Sequence, residues 1–184
     1  MDKIARLAPF DPNGAVRVVV ESPGGAAVKL KYDPQLGLMT LGRPLPLGLR
    51  YPCDWGFVPG TEAEDGDPVD AFVVADAPTF PGVVISCRLL GVIQADQDHP
   101  QRKGRVRNDR LVALPVTAPR AESLRRYVDL PERVRAELEA FLLAAVQFEG
   151  KNVAIIGRAG PAAATALIER CRVRGSRTAS HKRR

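Results

Sequence analysis

Apolar and polar residues alternate through the first two thirds of this chain, and then the period changes. Residues 15–21 (Ala-Val-Arg-Val-Val-Val-Glu) read as a strand, broken by Ser22-Pro23-Gly24-Gly25. Val28-Lys29-Leu30-Lys31-Tyr32 has the two-residue alternation of a half-buried strand. Asp33 to Gly37 make a turn, and Leu38-Met39-Thr40-Leu41 returns as the second arm of a hairpin. Short strands follow over 55–58 and 71–74, then a long β-branched stretch over 83–93 and another strand over 111–114, with a polar, basic segment at 97–109 between the last two. Beyond it, Val134, Leu138, Phe141, Leu142, Ala145 and Phe148 recur at helical spacing, and Asp129 and Glu132 stand where a capping box would start that helix. Residues 151–156 predict one more strand. Pro161 opens a second helix with Leu167, Ile168 and Cys171 on one face. Many short strands joined by Gly/Pro turns predict a small closed β-barrel with two helices packed outside it.

With 184 residues, 45% of them hydrophobic, the chain suits one core-forming domain, expected over 1–174. A basic tail over 175–184 is expected to be disordered. No apolar run approaches the roughly 20 residues of a membrane span, and Met1–Arg6 lacks the apolar run of a signal peptide. A cytoplasmic protein without a membrane partner is the expectation. Cys53, Cys87 and Cys171 are far apart, and His99 and His181 are the two histidines. That pattern predicts free thiols, not a zinc site or a disulfide framework. The formal net charge of +6 describes the end of the chain: residues 172–184 carry six of the 27 basic residues and no acid, which leaves 21 basic against 21 acidic residues elsewhere. A basic binding face on the body is therefore not implied.

The candidate chemistry lies in Glu64-Asp65-Gly66-Asp67-Pro68-Val69-Asp70. Three aspartates fall within six residues, beside a glycine that permits a tight turn and a proline that stiffens it. Carboxylates this close repel one another unless a cation sits among them, and such clusters hold hard, oxygen-seeking ions such as Mg²⁺. A solvated acidic turn is the alternative reading. An EF-hand is excluded by register: counted from Asp65, the sixth position is Asp70 where a glycine is needed. Lys29 and Lys31, two apart on a strand, face the same way; Arg43 and Tyr51 follow. Cations opposite a carboxylate loop suit an anion carried with metal, phosphate above all. A solvated strand face, a loop arginine and a core tyrosine are the plainer readings.

These residues resemble the family I soluble inorganic pyrophosphatases. Asp65-Gly66-Asp67-Pro68-Val69-Asp70 is similar to that family's Asp-x-Asp-Pro-x-Asp signature, Val18-Val19-Val20-Glu21 to the strand with its first site glutamate, and Tyr51-Pro52-Cys53 to its Tyr-Pro-x segment. The likeness covers about residues 15–115 and continues weakly through Gly150-Lys151. It implies an α+β fold, a small five-stranded OB-like β-barrel with two flanking C-terminal helices, assembled as a homo-oligomer. It also implies hydrolysis of pyrophosphate to two phosphates by a Mg²⁺-activated water. Asp67 would take the proton and contact metal, and Asp65 and Asp70 would ligate metal. Lys29, Arg43, Tyr51 and Glu21 would line the substrate site. At several positions the chain departs from the family pattern. Lys31 replaces a glutamate and Trp55 a tyrosine; Gln97 and Asp98 fall on an Asp-Glu pair; Asn108 and Arg110, with Asp109 between them, fall on Asp-x-Lys; Ala144 to Val146 replace a Tyr-Lys pair. Lys31, Trp55, Asp98, Asp109 and Arg110 are thus candidates of open role. A catalytically weak or inactive phosphate- or diphosphate-binding protein is the second reading. A single-stranded nucleic-acid binder using Arg102, Lys103, Arg105, Arg107, Arg110 and the basic tail is the third, and it lacks aromatic platforms between those five positions.

Overall fold

A computed structural model describes residues 3–4, 6–99, 103–119 and 123–173. The tail at 175–184 and Arg102 lie outside these residues. The strands are β1 (Val16–Ser22), β2 (Val28–Asp33), β3 (Leu38–Pro44), β4 (Asp54–Phe57), β5 (Asp70–Val73), β6 (Val84–Asp98), β7 (Arg105–Arg107), β8 (Arg110–Pro115) and β9 (Ala154–Ala159). The helices are α1 (Glu132–Ala144) and α2 (Pro161–Arg170). Strand β1 pairs with β4, β4 with β5, β5 with β8, β8 with β6, and β6 again with β1. The five strands close into the expected barrel, which leaves no free edge among them. Of these five pairings only β5–β8 is parallel. Strands β7 and β9 extend the sheet from the long β6.

Strands β5 and β8 are buried on both faces, and their alternation divides the core. Ala71, Val73, Leu111 and Ala113 join the cluster that takes in Ala164, Leu167 and Ile168 of α2. Phe72, Val112 and Leu114 point the other way, into the cluster with Leu138, Phe141 and Leu142 of α1. Burying each large side chain of this kind stabilises the fold by about 1.5–3 kcal/mol. The two helices therefore take the apolar stripes that their 3.6-residue period creates.

Four local expectations are corrected. Segment 97–109 does not interrupt the sheet, because β6 runs on to Asp98 and β7 pairs back on it, Gln97 opposite Val106. Asp129 does not cap α1. Its carboxylate accepts the amide hydrogens of Arg125 and Arg126 and closes a 3-10 turn over Tyr127–Asp129, while Pro131 precedes α1 without a side-chain cap. Phe148 lies beyond α1 and is exposed. The strand expected from 151 begins at Ala154, because Gly150 and Asn152 both have positive φ (65° and 45°) and cannot extend.

Hairpin β2–β3 forms a separate two-stranded sheet. Side chains at the end of β1 hold it against the barrel. Ser22 Oγ accepts the amide hydrogen of Leu30 at 2.9 Å, and Glu21 Oε1 accepts that of Tyr32 at 2.7 Å. With the Leu30 and Tyr32 amides turned to β1, Lys29 and Lys31 reach the cavity described next.

Candidate active site

A cavity of about 340 Å³ opens between the hairpin and the loop entering β5. Glu21, Lys29, Lys31, Asp67 and Asp70 supply its charged groups, and Phe57, Pro59 and Tyr32 are among its apolar walls. The loop is tied at its base by Thr61, a buried residue whose hydroxyl donates to Val58 O (2.7 Å) and accepts from the Val69 amide (3.0 Å). The Ala63 amide donates to Asp67 O at 2.8 Å, and Gly66 takes a φ of 86° that a side chain would resist. No pattern in the sequence singled out Thr61, since a single threonine in a loop carries no periodic signal.

Two of the cavity's carboxylates already hold a cation. Lys31 Nζ lies 2.7 Å from Asp67 Oδ1, and the two side chains are 49% and 53% exposed. Burial alone would lower the Lys31 ammonium's pKa, but the hydrogen bond and charge of Asp67 hold it above the ordinary lysine value. Arg110 Nη2 lies 3.3 Å from Asp70 Oδ2, with exposures of 11% and 17%. Its guanidinium carbon sits 5.5 Å from the centroid of the Trp55 ring, a cation–π contact strengthened by desolvation. Trp55 meets Phe72 edge-on at 4.8 Å, so the arginine rests on a core-anchored platform. Among the described residues, the Nε–H of Arg110 and the indole N–H of Trp55 are both buried without a hydrogen-bond partner.

Burial pushes the Glu21 carboxyl up to about 7, against the Tyr32 amide hydrogen bond and with help from the Asp70 charge. Asp65 is raised by burial, which the Arg110 charge partly offsets. Its Oδ1 accepts the Asp67 amide hydrogen at 3.3 Å, and it is not part of the cavity wall.

The other candidates do not line this cavity. Arg43 pairs in register with Lys29, but its guanidinium is drawn to the end of α1: Nη2 donates to Ala145 O at 2.8 Å and pairs with Glu149. Glu149 also holds Lys151 at 2.9 Å, a junction that no motif announced. Tyr51 is buried against Phe141 (4.8 Å between centroids), and burial pushes its hydroxyl up to about 12. Asp98 pairs with Arg105 at 3.0 Å on the far part of β6. Asp109 accepts the Ala95 amide hydrogen and both of its oxygens take Arg107. It lines a second cavity, behind the loop, with Glu62, Glu64 and Arg170. Three of the five basic residues of the nucleic-acid reading, Arg105, Arg107 and Arg110, are thus tied to acids of the body.

The donor chemistry at the cavity suits a hard divalent ion. Its anionic groups are carboxylates alone, and two of them already carry a cationic stand-in. Among the described residues no three acidic, imidazole or thiol groups converge on one point. An ion drawn to Asp67 or Asp70 would therefore meet a cation the protein supplies.

A family profile described as inorganic pyrophosphatase matches residues 18–175. The inorganic pyrophosphatase of Streptomyces coelicolor is 38% identical over 154 residues, 83% of this chain and 91% of that one. That of Geobacillus stearothermophilus is 34% identical over 160 residues, 86% of this chain and 93% of the relative. The crystal structure of the Thermus thermophilus inorganic pyrophosphatase superposes with a TM-score of 0.83 at 31% identity, covering 91% of this chain and 95% of the other. Among the described residues no helix is long and apolar enough to cross a membrane.

Proposed function

The chain belongs to the inorganic pyrophosphatase family, whose members work with a divalent metal, and from that premise we propose that it hydrolyses inorganic pyrophosphate to two phosphates with Mg²⁺ as the ion. The observation that carries this reading is the single cavity faced by Glu21, Lys29, Lys31, Asp67 and Asp70. It offers ammonium groups for phosphoryl oxygens and carboxylates for a cation and a proton within one space. Asp67 and Asp70 would hold the ion from the cavity wall, and Asp65, which lies outside that wall, would turn in to join them. When bound, the ion would neutralise phosphoryl oxygens and acidify a water.

The chain's own residues have distinct tasks in this scheme. Asp67, half exposed at the mouth, takes the proton of the attacking water. Lys29 faces the same cavity and, among the described residues, forms no ion pair, so its charge is available to the charge developing on the phosphates. Arg43, once it leaves Glu149, and the Tyr51 hydroxyl, close enough to feel the Arg43 and Asp70 charges, hold phosphoryl oxygens of the substrate. Glu21, its carboxyl pushed by burial up to about 7, is only partly ionised near neutral pH, and it anchors β2 in either form. Arg110 and Trp55 fix the orientation of Asp70. Asp98 and Asp109 serve the sheet and the rear of the loop. Residues 1–174 act as one domain, the basic tail is dispensable, and the protein works in the cytoplasm as a homo-oligomer.

The test is phosphate release from pyrophosphate by purified protein, with Mg²⁺ and with chelator. Release that vanishes in chelator and returns with Mg²⁺ is expected; undiminished release in chelator would remove the metal from the scheme. The ion pair on Asp67 specifically favours a second reading, a diphosphate-binding protein of weak or no turnover. Tight pyrophosphate binding without phosphate release would select it.

A further inference from the structure

The two built-in cations differ in how readily they can leave. Arg110 is desolvated, stacked on Trp55 and paired with a nearly buried Asp70. Moving it would leave a largely desolvated carboxylate without its partner, so it is a lasting part of the wall. Lys31 is half exposed and so is Asp67. An ion pair of that exposure contributes little to stability, because solvent screens it and holding two side chains in place costs entropy. Lys31 can therefore exchange partners cheaply. Its neighbour Lys29 stands on the same face of β2 and lines the same cavity. An anion drawn to Lys29 would thus arrive within reach of the Lys31 ammonium.

These facts bear on how the two charged ligands can enter. A divalent cation approaching Asp67 in the free protein meets an ammonium already bound there. An anion carrying several charges meets two ammonium groups, one of them held only by a screened pair. We propose that Lys31 is an exchangeable guard of the site: it rests on Asp67 in the free protein, transfers to the bound diphosphate, and thereby uncovers Asp67 for the divalent ion. The anion and the cation then bind with a positive coupling carried in part by this lysine, and the diphosphate can enter before the metal. The coupling is reciprocal, as linkage requires. This inference rests on the diphosphate reading of the site and adds to it a binding order and a residue that enforces it.

The experiment is calorimetric, on the full-length protein and Lys31→Gln. Two affinities are measured separately: Mg²⁺ alone, and imidodiphosphate, a diphosphate analogue resistant to hydrolysis, in chelator. The expected result is opposite movement. Lys31→Gln should bind Mg²⁺ about tenfold more tightly, or ~1.4 kcal/mol, and the metal-free analogue about tenfold more weakly. Lys31→Arg, which keeps the charge, should behave like the native protein in both titrations. A merely structural role would shift both affinities the same way or neither. Changes below twofold in both, or a parallel change in both, would overturn the proposal, provided melting temperatures show that the variants are folded. Absence of phosphate release by the native protein would instead count against the hydrolase reading, while the two titrations still decide the guard.

Discussion

Two acidic residues three apart in sequence, Asp67 and Asp70, each hold a cation, and the two pairs are physically unlike. Asp70 begins β5 and meets an arginine stacked on a core tryptophan, with both partners largely removed from water. Asp67 stands at the tip of the preceding loop and meets a lysine across the mouth of the cavity, with both partners about half in water. The same charge combination is scaffold in one place and adjustable in the other. What separates them is solvent: screening leaves the outer pair weak, and desolvation makes the inner pair costly to break. A site built this way keeps one wall rigid while its entrance responds to ligand.

The sharpest way to break the comparison is to remove the inner cation. Arg110→Ala should leave the Asp70 carboxylate unpaired in a desolvated pocket and cost about 3 kcal/mol. For a domain of this size that corresponds to a melting temperature about 10 °C lower, measurable by calorimetry. A loss no larger than that of an outer-pair variant would show that water reaches Asp70 and that the two pairs are alike.

Glu21, between the two pairs, gives a pH-dependent test. Burial pushes its carboxyl from 4.5 up to about 7. The folded state therefore favours the protonated form, and the stability that goes with it is fully present below the unfolded value of 4.5 and is lost as pH rises through 7. Without divalent ion, stability should fall between about pH 5 and 7 by up to ~3 kcal/mol. Glu21→Gln should flatten that part of the profile while still accepting the Tyr32 amide hydrogen. Urea titrations at several pH values would measure this, and a profile unchanged by the substitution would place the titration elsewhere.

The smallest effect on stability is expected at the outer pair. Asp67→Asn should change folding free energy by less than about 1 kcal/mol yet lower turnover of pyrophosphate by about 10²-fold, the contribution of a positioned proton acceptor. Steady-state phosphate release and thermal melts on the same preparation separate the two quantities. Turnover near the native rate would mean that another group takes the proton.

The alternation of β-branched and polar residues, the Gly/Pro turns and the switch to a 3.6-residue period were sufficient to place most of the strands, both helices and the closed barrel. These are local or nearly local properties, set by which side chains can share a face. The Asp65–Asp70 loop and the Lys29/Lys31 face were legible for the same reason, since each lies in one short segment whose geometry the backbone period dictates. Where extension depended on a left-handed residue, as at Gly150 and Asn152, or on pairing with a distant strand, as for the end of β6, the pattern misplaced the boundary.

Side-chain partnership across the fold was decided only by tertiary structure. Nothing local distinguishes Lys29, without an ion pair, from Lys31 on Asp67, or places Arg110 over Trp55, 55 positions away along the chain. Nothing local sends Arg43 to Glu149 at the end of α1, or Asp109 to the rear of the Asp65–Asp70 loop. A residue's identity and its strand face are properties of a few neighbouring positions. Its charge partner, and how much water that partnership excludes, depend on which distant segments the closed barrel and its helices bring together, and it is the excluded water that makes one acidic pair a fixture and the other an entrance.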